Sequence, residues 1–350
     1  MDYFRIGELF CGAGGIGLGI KMANKEFGNI KHIWATDFDK DACKTFSNNI
    51  GCKVIIKDVR NLDFNTLEQV NALTFGFPCN DFSVIGEQNG IKGDFGSLYK
   101  YCVKAVDHFK PYWFLAENVT GLKSSDNGKD FLRIMNEFAN LGYRLYPHTY
   151  KFHEYGVPQK RQRILIVGIR DDLPYSFKIP SNKEYIDKDV SVRTALSNIP
   201  SDAYNHEYTT QSDIVIKRLQ YIKQGENAFT ANIPKELQLK ISGAKLSQIY
   251  RRLKENEPAY TITASGGGGT HVYHYSENRA LTNRERARLQ SFPDDFIFYG
   301  SKESVRKQIG MAVPPVAVKI IIEAILKTFS KITYDSIPCN IEFERQYEIV

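Results

Sequence analysis

An apolar run, Ala72-Leu73-Thr74-Phe75-Gly76-Phe77, ends in Pro78-Cys79-Asn80, and 38 residues after the cysteine a second apolar run ends in Glu117-Asn118-Val119. A cysteine at the C-terminal lip of a strand stands where open α/β sheets carry their chemistry. Its thiolate is intrinsically very nucleophilic. A lone cysteine is otherwise a small buried hydrophobe. Here Cys79 leads into the stretch from Asp81 to Gly96, which carries Gly86, Gly90, Gly93 and Gly96, a glycine content that suits a lid closing over a substrate. Glu117 lies between Phe114-Leu115-Ala116 and Val119. Low solvation there would raise its pKa and keep a proton available; the plainer reading is a ribose or cap ligand. A thiol and a carboxylic acid on two neighbouring strand ends can attack and protonate one ring between them.

The segment Phe10-Cys11-Gly12-Ala13-Gly14-Gly15-Ile16-Gly17 contains GxGxxG between a strand signal and a helix signal. Glycines there admit positive φ and close backbone approach to a ligand. Asp37, twenty residues after Gly17, follows the second strand, where a carboxylate can accept from two ribose hydroxyls. The set fits an adenosine-containing cofactor, and the loop alone does not separate NAD from S-adenosyl-L-methionine. Asp58 ends the third strand as a partner for an adenine amine, or as a simple cap for 65–71. Phe10 could stack on the adenine face or belong to the core. Gln159-Lys160-Arg161-Gln162-Arg163 precedes the apolar run Ile164 to Val167. If a strand begins there, Arg161 and Arg163 share a side and suit a base carbonyl and a phosphate; surface ion pairs are the alternative. Together with the thiol–acid pair, the glycine loop points to methyl transfer onto a nucleic-acid base.

These residues need a scaffold. Strand signals at 4–10, 32–36, 54–57, 72–77 and 112–116 alternate with helical signals from about 16, at 97–109 and at 131–140, which predicts a mostly parallel sheet covered by helices. Runs 143–152 and 163–170 suit a late antiparallel pair. After Asp171 the rhythm stops, and polar segments, short strands and the loop Ser265 to Gly269 suggest a smaller, irregular, mostly-β domain. Thr282 and Glu285 have capping-box spacing. A last apolar helix from about 316 to 329 is expected to pack back on the first domain's sheet. The predicted organisation is 1–175 plus 305–350 as one domain, 176–276 as the second and 277–304 as a hinge. The tail after Ile332 gives no signal.

The chain has 350 residues, 42% hydrophobic and 25% charged, with a formal net charge of +6, an ordinary globular composition. Residues 241–290 hold eight Lys/Arg against four Glu, a concentration that suits a phosphate backbone or a solvated face. No apolar stretch approaches the roughly 20 residues of a membrane span, and the N-terminus carries no secretion signal. The six cysteines form no CxxC pair and no Cys/His cluster, so no metal site is expected, and reduced thiols in a cytoplasmic compartment are.

In order along the chain, these motifs resemble those of the C5-cytosine DNA methyltransferases of bacterial restriction–modification systems. Glu8 to Gly19 resembles the cofactor glycine loop, Asp37-Phe38-Asp39 the acidic ribose motif and Asp58 the adenine contact. Gly76-Phe77-Pro78-Cys79 resembles the nucleophile motif, Glu117-Asn118-Val119 the base-protonating motif and Gln159 to Arg163 the QxRxR motif. Arg279 to Glu285 with Arg288 to Asp294 resembles the scaffold motif, and Gln308 to Pro315 the last cofactor motif. Only about 171–276 and the tail fall outside.

The resemblance implies a Rossmann-like S-adenosyl-L-methionine-dependent methyltransferase sheet with a target-recognition domain. The implied cofactor contacts are Phe10, Gly12, Gly14, Gly15, Gly17, Asp37, Phe38, Asp58, Pro78, Met311 and Ala312. The implied catalytic set is Cys79, Glu117, Arg161 and Arg163, acting on a cytosine flipped out of the duplex. The implied DNA contacts are Asn80, Ser83, Arg251, Arg252, Thr261, Gly266, Gly267 and Gly268. The implied partner is double-stranded DNA, met by a monomer, with a cognate restriction endonuclease acting separately. Two positions depart from the pattern: Asn80 replaces the usual glutamine, and Met311 replaces an asparagine whose hydrogen bonds a thioether cannot supply. The alternatives are RNA methylation on the same scaffold, a DNA-binding protein with a weakened site, and a nicotinamide oxidoreductase.

Overall fold

The computed structural model describes residues 3–77, 97–240, 247–264 and 270–344. Its centre is a seven-stranded sheet built from β1 (Phe4–Leu9), β2 (Ile30–Asp37), β3 (Lys53–Ile56), β4 (Ala72–Gly76), β5 (Trp113–Val119), β6 (Tyr143–Lys151) and β7 (Gln162–Arg170). The strand order is β3-β2-β1-β4-β5-β7-β6. The first five strands run parallel, and β7 is antiparallel to both β5 and β6. The order reverses direction at β1, which has β2 on one side and β4 on the other. In open α/β sheets, ligands bind at the carboxyl ends beside such a switch point.

Helices α1 (Gly15–Phe27), α2 (Lys40–Ile50), α3 (Tyr99–Phe109) and α4 (Lys129–Asn140) connect the strands. The expected helices and strands of this half are all present. Helix α2 was not anticipated, though its signals are in the chain. Asp39 accepts from the Asp41 and Ala42 N–H groups at the N-cap, Gly51 closes the C-terminus at φ 82°, and Ala42, Cys43 and Phe46 supply a buried stripe. The sheet's core is rich in packed rings, with Phe75 stacked on Phe114 at 5.6 Å and Phe114 tilted against Phe138 at 4.9 Å. All three are fully buried, each contributing about 1.5–3 kcal/mol by removal from water.

The chain divides into two units: 1–151, 162–184 and 317–350 in the first, and 152–161 and 185–316 in the second. These limits differ from the expected ones. The connection between β6 and β7 belongs to the second unit, as do 277–316. The second unit is irregular, as expected, but it is not mostly β. It contains α5 (Val192–Leu196), α6 (Asp213–Leu219), α7 (Asn283–Leu289) and α8 (Lys302–Met311). Its β structure, among the described residues, consists of single bridges such as Arg252 with Tyr273. Thr282 and Glu285 form the expected capping box at the start of α7.

The final helix, α9 (Pro315–Phe329), is apolar on nearly all sides, and its residues from Ala317 onward belong to the first unit. Residues 302–329 together are long and apolar enough to cross a membrane by composition, yet 78% of their most apolar window is buried and the run is interrupted between Met311 and Pro315. The tail as far as Glu344, silent in sequence, packs within the first unit. Strand β9 (Ser336–Ile337) pairs with β8 (Ile179–Pro180), and Ile341 enters the sheet's core.

Candidate active site

The C-terminal lips of β1, β2, β3, β4 and β5 and the start of β7 carry the first unit's candidate residues. After β1 the chain turns through Phe10 at φ 54°, Gly12 at φ 51° and Gly14 at φ 94° into α1. Left-handed backbone at Gly12 and Gly14 suits only glycine comfortably. A Cβ on Gly12 would meet nothing within 4 Å, whereas one on Gly17 would stand 2.8 Å from the Phe46 ring. Gly12 therefore keeps a face open, and Gly17 lets α1 close on α2. The N-cap residue Gly14 has no side chain to cap α1, and the Glu8 carboxylate hydrogen-bonds the Gly17 N–H within its first turn.

Asp37 ends β2 with its carboxylate turned to this loop. Its Oδ2 accepts from Gly12 N–H at 2.9 Å and its Oδ1 from Asp39 N–H at 2.9 Å. Burial raises its pKa, opposed by these backbone hydrogen bonds. Asp37 thus braces the glycine loop, a role the sequence reading did not include. Phe38 beside it is 62% exposed, an aromatic face on the surface. Glu8, on β1 below the loop, is buried with its Oε2 3.3 Å from His32 Nε2. Burial raises the Glu8 pKa well above its usual value and lowers that of His32 to about 4. Asp58 caps a short turn at 59–61, not the segment 65–71, and pairs with Arg60 at 2.6 Å. That pairing lowers its pKa.

At β4 and β5 the register sets Gly76 opposite Glu117, and a Cβ on Gly76 would stand 3.1 Å from Glu117 Oε2. Across β5, Val119 faces Arg163. Arg163 Nε lies 2.8 Å from Glu117 Oε1, with both side chains largely buried. Glu117 is therefore not the isolated acid expected from its apolar flanks; a guanidinium holds its carboxylate. Asn118 donates from Nδ2 to the Phe77 carbonyl at 3.3 Å, and its Oδ1 accepts from Val119 N–H at 2.8 Å. It ties the end of β5 to the residue before Pro78, a function missed although Asn118 stood inside a noted motif. Pro78, Cys79, Asn80, Ser83, the 81–96 stretch and Gly266, Gly267 and Gly268 lie outside the described residues. Of the described cysteines, Cys11 and Cys102 are fully buried thiols whose pKa burial raises far above the usual value, and Cys43 and Cys52 are pushed up to about 12. None of these four has the character of an activated nucleophile.

The second unit corrects several expectations. Arg161 does not share a side with Arg163: the strand begins at Gln162, and Arg161 belongs to the other unit. It is 1% exposed and donates to the Ile262 carbonyl at 3.0 Å. Gln159 accepts from Ile262 N–H and donates to the Leu289 carbonyl, so the QxRxR segment anchors the loop at 259–262. Arg252 is not a DNA contact. It is buried, and its guanidinium donates to the carbonyls of Leu219, Ile222, His274 and Glu277 and to Asn278 Oδ1. Arg284 and Arg286 are also buried, and Arg279 and Arg288 are held by Glu277, Glu285 and Asp294. Among the described residues, most of the basic concentration at 241–290 is internal bracing. Arg251 remains available at the surface, stacked over Tyr260 at 4.3 Å, and Thr261 is half-exposed with its hydroxyl 3.5 Å from the Lys160 carbonyl. Met311, the last residue of α8, is 60% exposed, with Ala312 as the helix cap.

A family model described as C-5 cytosine-specific DNA methylase matches residues 4–327. The type II methyltransferase M.BbvI of Brevibacillus brevis is 52% identical, the match covering 97% of this chain and 96% of that protein. M.NgoFVII of Neisseria gonorrhoeae, also a type II methyltransferase, is 42% identical over 99% of this chain and 92% of its own. Among solved structures, a DNA modification methyltransferase from an E. coli prophage superposes with a TM-score of 0.72 at 23% identity, covering 93% of this chain and 99% of that one; at that identity the likeness speaks for the fold. With a glycine loop, a buried Glu–Arg pair and the sheet order that positions them, the chain belongs to the C-5 cytosine-specific DNA methylase family.

Proposed function

We propose that this protein methylates cytosine C5 within a specific DNA sequence, using Cys79 as the nucleophile and Glu117 with Arg163 as the ring-holding pair. The observation that carries this reading is the Glu117–Arg163 pair at the lip of β5, next to the end of β4 from which the chain continues into Pro78-Cys79. The full-length relatives are type II methyltransferases, which favours DNA over RNA as substrate. Family membership together with the glycine loop and Asp37 favours S-adenosyl-L-methionine over a nicotinamide cofactor.

Cytosine C5 is a poor nucleophile. Addition of the Cys79 thiolate at C6 moves the ring's electrons toward C5 and N3, splitting one difficult step into easier ones. Glu117 hydrogen-bonds or delivers a proton at N3, and Arg163 holds O2 and balances the carboxylate. After methylation a base takes the C5 proton, the electrons re-form the C5–C6 double bond, and the sulfur leaves. The cofactor supplies an electrophilic methyl group. The open face of Gly12, Phe38 and Asp37 fit its amino-acid and adenosine parts. None of this is accessible in a stacked duplex, so the base must be extruded at a cost of a few kcal/mol.

The test is trapping with a 5-fluorocytosine duplex in the presence of S-adenosyl-L-methionine. The expected product is a denaturation-resistant adduct, mapped by mass spectrometry to Cys79 and absent from Cys79→Ser. An adduct on another residue, or full methylation by Cys79→Ser, overturns the assignment.

A further inference from the structure

We propose that Asn340, in the C-terminal tail, is a positioning residue for methyl transfer. Its side-chain amide closes the free edge of the sheet on the row of residues that leads to the nucleophile segment. The inference rests on the roles given above to Cys79, Glu117 and Arg163.

β6 is an outermost strand of the sheet, and such a strand turns alternate N–H and C=O groups outward, unpaired. At Thr149 both outward groups are taken by one side chain. Thr149 N–H donates to Asn340 Oδ1 at 2.8 Å, and Asn340 Nδ2 donates to the Thr149 carbonyl at 3.0 Å. The amide reproduces the two-bond exchange that a neighbouring strand would make. Asn340 N–H also donates to His148 Nδ1 at 3.2 Å. The tail holds this residue from both sides. Tyr334 donates to the Lys178 carbonyl, β9 pairs with β8, Ile341 is buried in the sheet's core and Phe343 packs on it.

The clamp is at a particular level of the sheet. Thr149 lies opposite Ile164, and Ile164 opposite Asn118. Asn118 in turn holds the Phe77 carbonyl at 3.3 Å, one residue before Pro78. The adjacent row is Tyr150, Arg163 and Val119. Because Thr149 turns its polar groups outward, Tyr150 turns its own toward Arg163. Asn340 therefore pins the stretch of β6 against which the backbone of Arg163 is set. A strand end with exposed hydrogen bonds opens locally at low free-energy cost, and at this level opening would loosen Arg163 and Asn118 together. β1, β2 and β3, which carry the glycine loop and Asp37, lie across the sheet from β6.

A merely stabilising contact and a positioning one are separated by single-turnover trapping on the 5-fluorocytosine duplex at saturating cofactor. Loss of folded protein lowers the amplitude of adduct, whereas loss of positioning lowers its rate constant. For Asn340→Ala the expected result is a rate constant at least fivefold lower, an amplitude near that of the wild type and a cofactor Kd within twofold. Asn340→Asp, which keeps the acceptor for Thr149 N–H but loses the donor, should fall between. Val318→Ala, at a fully buried position of α9 in the same unit, removes packing without touching the tail; it should lower Tm while keeping the wild-type rate constant. A rate constant for Asn340→Ala within twofold of wild type, or an equal slowing by Val318→Ala, overturns the inference. A wild type that forms no adduct removes the Cys79 reading and this inference with it.

Discussion

In the first unit most of the sheet's backbone hydrogen bonds run between strands, and most side chains are left to pack or to act. In the second unit, among the described residues, strands are replaced by single bridges, and buried arginines take over the carbonyls. Arg252 alone serves four carbonyls and an amide oxygen, and Arg284 donates to the carbonyls of Tyr204, Pro293 and Phe296. Gln290 does likewise for Ile309. A buried carbonyl without a donor costs about 1–3 kcal/mol, so an irregular fold needs such multidentate donors, and arginine has the most. The same residue type thus means opposite things in the two units: Arg163 pairs with the acid of the candidate site, whereas Arg252 is a strut.

This contrast is open to experiment. Glu117→Gln should lower single-turnover methylation by about 10²–10⁴-fold, the range for a positioned acid–base group, with Tm nearly unchanged; a small rate loss would remove Glu117 from the chemistry. Arg252→Met should destabilise the second unit strongly, since each buried carbonyl left without a donor costs about 1–3 kcal/mol. Binding of S-adenosyl-L-methionine should persist while DNA binding is lost, and Arg252→Lys should not rescue, since an ammonium cannot span five acceptors. Calorimetry and limited proteolysis would read this, and an Arg252→Met protein that stays folded but loses only DNA affinity would restore the contact role. Gly17→Ala should cost about 1–3 kcal/mol by overpacking against Phe46, measured by chemical unfolding, with partial recovery in the Phe46→Leu background.

The smallest effect is in pH. Burial lowers His148, in the first unit, and His271, in the second, to about 4. Unfolded histidine titrates near 6.5, so between about pH 6.5 and 4 the unfolded chain binds more protons. The histidine contribution to stability is complete above 6.5 and is lost as pH falls toward 4. Replacing either by glutamine should flatten that slope for its own unit, read as the wild-type minus variant difference in Tm across pH 4–7. An unchanged slope in both would show that neither ring is held neutral.

Much of the first unit was readable because its signals are local. Alternating apolar runs, the glycines before α1 and the acid after β2 each declare an element within a few residues. Helix α2 carried equally local signals in Asp39 and Gly51, and only their reading was missed. Arg161 and Arg163 show where local reasoning ends: two residues apart, they divide between two units because the strand begins between them. The tail gave nothing because Asn340 and Ile341 acquire meaning only against Thr149 and the core, nearly two hundred residues away in sequence.

By itself, the sequence determined the order of strands and helices, the glycine loop and the identity of the thiol, the acid and the guanidinium, since each depends on residue type and short spacing. Tertiary structure decided which arginine meets the candidate site's acid and which brace carbonyls, that Glu117 is held by a partner, and that Asn340 bonds Thr149 at the sheet's edge. Those outcomes depend on burial and on which distant carbonyl or carboxylate lies within about 3 Å, quantities that no local pattern encodes.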